Sequence, residues 1–185
     1  MKLKMRNKFH RIQGCKGCGL KEHSHGQIIG IGKVPAQILF LGEGPNKADD
    51  SLGEPFTGRE RKILIEIIAR ASEMGNVYVP SFYLSNIVMC RTWNNDPADK
   101  EYDRFIPPQK QEVLACMPNV MELVSIVKPQ FVVFVGKTAE SYYKKEFPGS
   151  VRITHPAIHI IYGGKSSPTF LLDSRKLSEM FRMIK

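Results

Sequence analysis

The chain has 185 residues, with 27 Lys and Arg against 18 Asp and Glu, a formal net charge of +9 and 42% hydrophobic residues. That length suits a single domain with one good core, in the ordinary composition of a folded globular protein. The charge excess favours an anionic partner, nucleic acid first. No apolar run reaches the ~18 residues of a membrane span, and the basic N-terminus lacks the apolar stretch of a signal peptide. A cytoplasmic protein with no membrane contact is expected.

Residues 1–14 read as a basic lead-in, and CKGCGLKEHSHGQIIGIGKVPA (15–36) as an irregular, glycine-rich loop. QILFLG (37–42) is a short continuous apolar run, the pattern of a buried strand. The loop LGEGPNKADDSLGEPFTG (41–58) follows, with four glycines, two prolines and four acidic residues. It is far longer than a plain strand-to-helix connection. RERKILIEIIARASEM (59–74) places Ile63, Ile67 and Ala71 at spacing four and predicts an amphipathic helix. FYLSNIVM (82–89) predicts a second strand, and residues 90–108 a polar, proline-punctuated excursion.

Residues 109–128 read as a helix broken or kinked at Pro118. QFVVFVG (130–136) is the clearest strand, and KTAESYYKKEF a short helix. VRIT (151–154) is a short strand, HPAIHIIYGGKSSP a loop, and DSRKLSEMFRMI a closing helix capped by Asp173 or Ser174. Strands alternating with helices predict an α/β fold: one domain over 1–185, three layers α/β/α, with a short, mainly parallel central sheet. Ligands of such sheets bind outside the carboxyl ends of the strands. Glu43, Asn86 and His155 all lie at or near such ends.

Cys15 and Cys18 form a CxxC in a glycine-rich loop, and Cys90 and Cys116 are single and distant. The pattern suits zinc or an iron–sulfur cluster, and spacing does not separate the two. His10, His23, His25 and His159 carry no clear signal and read as surface.

The order of motifs is more specific. The chain runs CxxC, strand, GEGPNKADDSLGEPFTG, strand, NIVMCR, a cysteine on a helix, KPQFVVFVG and HPA. Over about residues 15–156 this resembles family 4 of the uracil-DNA glycosylase superfamily, the group with a [4Fe–4S] cluster. The resemblance implies Cys15, Cys18, Cys90 and Cys116 as cluster ligands, with zinc the lesser alternative. It implies a cluster-binding N-terminal loop over 1–35 and an insert over 91–108. Glu43 matches the glutamate of the family's loop, and Asp49 and Asp50 its acidic pair. Phe56 matches the aromatic that stacks on a flipped base, Asn86 the amide that reads the pyrimidine edge, and His155 the histidine that contacts uracil O2. The expected partner is uracil-containing DNA, single- or double-stranded, bound by a monomer.

The chemistry accounts for these residue types. A flipped base needs a flat apolar surface, which Phe56 supplies. The Asn86 amide both donates and accepts, matching uracil O4 and N3–H and opposing cytosine. Cleavage of the N1–C1′ bond leaves negative charge on the base, for His155 and loop N–H groups. It leaves positive charge on the sugar, for a carboxylate that also positions water: Glu43 first, Asp49 or Asp50 otherwise. Gly42 and Gly44 let backbone approach the base.

Four departures bear on substrate choice. Asn46 replaces a glycine, Arg59 and Glu60 replace a small pair after PFTG, the stretch between Cys90 and Cys116 is long, and HPA is followed by IHIIYGGKSS. In that last stretch Ile158, Ile160, Ile161 or Tyr162 is a candidate wedge into the base stack, with Lys165 on phosphate. The alternative function is a glycosylase-like protein that binds DNA or acts on another modified pyrimidine.

Overall fold

The computed structural model describes residue 15, residues 17–93, residue 98 and residues 104–184, with nothing stated of the His23 side chain. The lead-in 1–14 and residues 94–97 and 99–103 of the expected 91–108 insert lie outside the described residues.

Among the described residues five strands form one sheet: β1 (Ile31–Gly32), β2 (Ile38–Gly42), β3 (Phe82–Asn86), β4 (Phe131–Val135) and β5 (Val151–Ile153). Their spatial order is β1-β3-β2-β4-β5. Pairings β2–β3, β2–β4 and β4–β5 are parallel, and only β1 runs antiparallel, on β3. Among the described residues six α-helices accompany them: α1 (Lys47–Leu52), α2 (Gly58–Gly75), α3 (Lys110–Val127), α4 (Lys137–Tyr143), α5 (Pro156–Ile161) and α6 (Pro168–Phe181). This is the expected three-layer α/β/α domain.

The strands alternate their side chains between two cores, as period two requires. Ile38, Phe40, Val133 and Val135 pack with Ile63, Leu64, Ile67 and Ala71 of α2 and with Phe170, Leu177 and Met180 of α6. Leu39, Leu41, Val132 and Phe134 pack on the opposite face, with Val113, Val120 and Leu123 of α3 and Ala139 and Tyr143 of α4. Both faces of β2 are covered, which is why its sequence is continuously apolar. Each such side chain contributes about 1.5–3 kcal/mol on full burial.

Several local expectations are corrected. The long loop contains α1, started by a reciprocal cap: Asp49 N–H donates to Asn46 Oδ1 at 3.0 Å, and Asn46 N–H to Asp49 Oδ2 at 3.2 Å. Asn46 is thus a helix cap. α3 runs unbroken through Pro118. Pro118 and Leu114, whose carbonyl loses its partner, are both exposed, so the freed carbonyl is on the solvent side of α3. The stretch after β5 is not a loop but α5 and a 3-10 turn at Gly164–Ser166. α6 begins at Pro168, capped by Ser167, so Asp173 and Ser174 are buried inside it rather than capping it. Pro168 at the first helical position marks this start. The expected strand 82–89 ends at Asn86, but Ile87 N–H and Val88 N–H still donate to the carbonyls of Gly42 and Glu43.

Candidate active site and cysteine cavity

The connection after β2 returns on one side of it, to β3, and the connection after β4 leads away on the other, to β5. The carboxyl ends of β2 and β4 therefore flank the point where strand order reverses, the usual ligand crevice of such sheets. Glu43 follows β2 there. Burial raises its carboxyl above the ordinary carboxylate range, and a hydrogen bond with Thr138, at the start of α4, opposes that shift. Glu43 Oε1 is buried without a hydrogen-bond partner. Thr138 joins the site from the other side of the switch point; nothing in its sequence context singled it out.

Asn86 ends β3 directly opposite Gly42. It is 2% exposed, and its Nδ2 has no partner. A Cβ on Gly42 would lie 2.4 Å from Phe56 Cζ and 2.5 Å from Asn86 Oδ1. The absent side chain of Gly42 is thus the space in which Phe56 and Asn86 meet. Phe56 is 2% exposed and has φ +53°, a left-handed conformation costly for a bulky residue. Gly44 lies beside Thr92 and Phe105, near the two ends of the 91–108 segment. Thr92 Oγ1 donates to the Ile106 carbonyl at 2.6 Å.

Asp49 and Asp50 are both buried, and all four oxygens are engaged. Asp49 Oδ1 accepts from Thr57 N–H at 2.7 Å and Thr57 Oγ1 at 2.6 Å, while Oδ2 takes the Asn46 N–H. Asp49 therefore ties the start of α1 to the start of α2, with Phe56 held between. Asp50 Oδ1 accepts from His25 N–H at 3.0 Å, and Oδ2 lies 2.8 Å from His25 Nδ1. That pair joins the loop after the CxxC to α1. Glu60, on the first turn of α2, is a further acid near Asp49. Burial, with Asp49 adding, pushes it up to about 7.

His155 caps α5 through its Nδ1, which accepts from Ala157 N–H at 3.3 Å. Its ring centroid is 6.2 Å from that of Phe56, and its Cβ and ring lie against Gly136 at the end of β4. Burial lowers its pKa to about 4; Asp49 pulls the other way and His159 adds to the lowering. The ring is therefore neutral at physiological pH. Because Nδ1 accepts, its proton sits on Nε2, which is a hydrogen-bond donor.

His159 is not a surface residue: it is 0% exposed, between Asp173 and Ser167. Its position four residues after His155, one helical turn on, was the available signal. Around the site the surface is mixed. Ile158, Ile161 and Tyr162 of the α5 region are exposed, Ile161 by 71%, whereas Ile160 packs against the core. A groove beside them is lined by Arg59, Lys62, Ile63, Glu66, Ile160 and Gly164. Lys165 Nζ lies 3.4 Å from Glu66. Trp93 lies beneath the Arg91 guanidinium, 4.7 Å from its ring centre.

The four cysteines, all free, line one small cavity with Gly17, Lys21, Gln27, Val88, Ala115 and Asn119. Burial raises Cys18 and Cys116 and pushes Cys90 up to about 11. Neighbouring cysteines add to each of these three shifts, after burial. Asn119 Nδ2 donates to Cys116 Sγ at 3.8 Å. Among the described residues no three His, Cys, Asp or Glu side chains are arranged to hold a single metal ion. One zinc would draw four sulfurs to within about 2.3 Å of a common point. Four thiols around one cavity are a donor set that suits either zinc or an iron–sulfur cluster, in which each thiolate holds one iron.

Known proteins resemble this chain in sequence. The chain is 28% identical over 161 residues to a type-4 uracil-DNA glycosylase of Thermotoga maritima, covering 86% of this chain and 77% of that protein. It is 26% identical over 182 residues to one from Archaeoglobus fulgidus, covering 91% and 89%. A third, from Saccharolobus solfataricus, is 27% identical over 135 residues, covering 73% of this chain and 56% of that protein. The sequence model of the Uracil DNA glycosylase superfamily matches residues 29–182, which spans all five strands, the crevice and both histidines of α5 and its cap. The chain belongs to the uracil DNA glycosylase superfamily.

Proposed function

We propose that this protein hydrolyses the N-glycosidic bond of uracil in DNA and leaves an abasic site. The observation that carries the reading is the Asn86 amide. It is buried beside Phe56 and Gly42 with Nδ2 unpartnered, a cost that a protein bears where a ligand supplies the missing acceptor. Uracil O4 supplies it, and N3–H meets the amide oxygen. Cytosine presents a donor and an acceptor in reversed order and leaves both amide atoms opposed.

The base lies against Phe56, whose stacking contributes about 1–3 kcal/mol. His155 donates from Nε2 to uracil O2. A neutral donor suits this position because the charge it stabilises develops only as the bond breaks. Glu43 carries the carboxylate role. Its Oε1 is free, whereas the oxygens of Asp49 and Asp50 are committed to the start of α2 and to His25. Glu43 stabilises the cationic sugar and orients the attacking water. Asp49 and Asp50 hold the loop in shape. The basic groove of Arg59 and Lys62 takes backbone phosphates, and the exposed Ile158, Ile161 and Tyr162 lie against the opened duplex.

Cys15, Cys18, Cys90 and Cys116 would hold a [4Fe–4S] cluster, and their binding it would tie the loop around the CxxC to α3, a structural role. The Asp50–His25 pair carries that fixation to α1.

The test is alkali-induced strand scission of single- and double-stranded oligonucleotides with one uracil, under excess enzyme. Cleavage by the native protein and a loss of about a hundredfold or more in Glu43→Ala are expected, the scale of removing one strong electrostatic contribution. No cleavage by cluster-loaded, DNA-binding protein overturns the reading in favour of a binding protein or another modified pyrimidine.

A further inference from the structure

The segment that carries His155 is held from both ends by one buried carboxylate. Asp173 Oδ2 accepts the Thr154 N–H at 2.8 Å, one residue before His155. The same oxygen lies 3.2 Å from His159 Nε2, four residues after it. Asp173 and His159 are both 0% exposed. The far side of the His159 ring is fixed as well: Nδ1 is 3.1 Å from Ser167 Oγ and 3.4 Å from Thr169 Oγ1, and the ring stands edge-on to Phe170. Asp173 Oδ1 faces Lys176 Nζ at 3.4 Å. These groups come from β5, α5 and α6, and none of them lines the crevice beside Glu43.

Burial raises the Asp173 carboxyl, but the hydrogen bonds from His159 and Thr154, with Lys176, outweigh it and hold the group below its usual range. The carboxylate is therefore ionised, and His159 must present a proton on Nε2 to meet it. A helix of six residues has little rigidity of its own. Asp173 is the group of α6 that bonds both the end of β5 and α5, and His155 lies between those two bonds.

We propose that Asp173 and His159 are positioning residues that clamp the 154–159 segment and thereby aim His155 at the base. The proposal rests on the assignment of His155 as the donor to uracil O2. The clamp acts through backbone and helix placement; neither residue reaches the substrate. In a site of this kind a misplacement of about 1 Å costs up to a hundredfold in rate.

Three variants test it. Asp173→Asn removes the charge at constant shape. His159→Gln places an amide nitrogen where Nε2 lies and keeps the donor to Asp173. His159→Asn places its amide nearer the Nδ1 position, toward Ser167, and loses that donor. Asp173→Asn and His159→Asn are expected to lower the single-turnover rate by roughly tenfold or more with DNA affinity unchanged, and His159→Gln to stay within about threefold. A purely structural role does not predict that split.

The second reading is independent of activity. Nitrogen-detected NMR of the imidazoles reports the tautomer and titration of His155. The groups that face it are Asp49 from α1 and His159 on its own helix. In Asp173→Asn and His159→Asn the His155 titration is expected to move up toward the ordinary 6.5 as the ring loosens into water, and in His159→Gln to stay low. Folded variants with native His155 titration and native rate overturn the clamp. So does a rate loss that tracks thermal stability while the His155 titration stays native. If Asp173→Asn does not fold, the two His159 variants decide. Failure of the native protein to cleave uracil would overturn the proposed function while the NMR result still judged the clamp.

Discussion

Gly42 and Asn86 face each other at the ends of β2 and β3, and the hydrogen that stands for a side chain at Gly42 is what lets the Asn86 amide and the Phe56 ring share one space. The φ of Gly42 lies outside the left-handed region, so the requirement is one of room and not of backbone freedom. Gly42→Ala is therefore expected to fold with a loss of about 1–3 kcal/mol, the usual cost of overpacking. It should lose uracil excision far more than stability, because Phe56 or the amide must move. Chemical denaturation and single-turnover cleavage on the same preparation check this. A fully active Gly42→Ala protein would refute the packing argument.

Asn86→Ala separates binding from stability in the opposite sense. The buried Nδ2 has no partner in the free protein, so its removal relieves a desolvation cost of about 1 kcal/mol or more. Thermal stability should hold or rise, while excision of uracil falls at least tenfold. A stability loss of several degrees would mean that the amide is bonded in the free protein.

Two groups near the crevice oppose each other in pH. His155 falls from 6.5 to about 4 in the folded state. Between those values the unfolded chain binds the extra proton, so this group makes stability rise with pH. Glu60 rises from 4.5 to about 7. Between those values the folded chain binds the extra proton, so this group makes stability fall as pH rises. Their slopes nearly cancel from pH 4.5 to 6.5. Glu60→Gln removes one of them. Its stability should climb by up to about 1.4 kcal/mol per pH unit across that window, lessened by Glu43, whose raised carboxyl acts in the same sense as Glu60. Denaturant titrations of both proteins at several pH values decide this, and parallel profiles would contradict the two assignments.

Cys90→Ser tests the cysteine cavity. Native protein should carry iron and sulfide and absorb near 400 nm. The variant should lose that absorbance and melt earlier, because a ligand set that binds only the folded chain stabilises it. Full iron in the variant would remove Cys90 from the ligands; zinc alone in the native protein would replace the cluster.

Much of this was legible in the linear chain, for identifiable reasons. Strands β2 and β4 are continuous apolar runs because both their faces are covered, and α2 shows its buried stripe at spacing four. Glu43, Phe56, Asn86 and His155 sit in motifs whose order restricts the reading. What was missed has one cause. Asp173 was read as a cap because it opens a polar-then-apolar stretch, yet its partners are Thr154 and His159, 19 and 14 residues away. His159 was read as surface because nothing local marks a histidine whose partners lie on another helix. Thr138 is an ordinary helix residue until the switch point places it beside Glu43.

Local pattern thus set the elements, their order and the residue types of the crevice, since periodicity, caps and glycines act over a few residues. Which carboxylates are spent on structure and which is left free was settled by packing across the sheet. Hydrogen-bond partners and burial of a charged group depend on neighbours distant in sequence, and those exist only once the layers have closed.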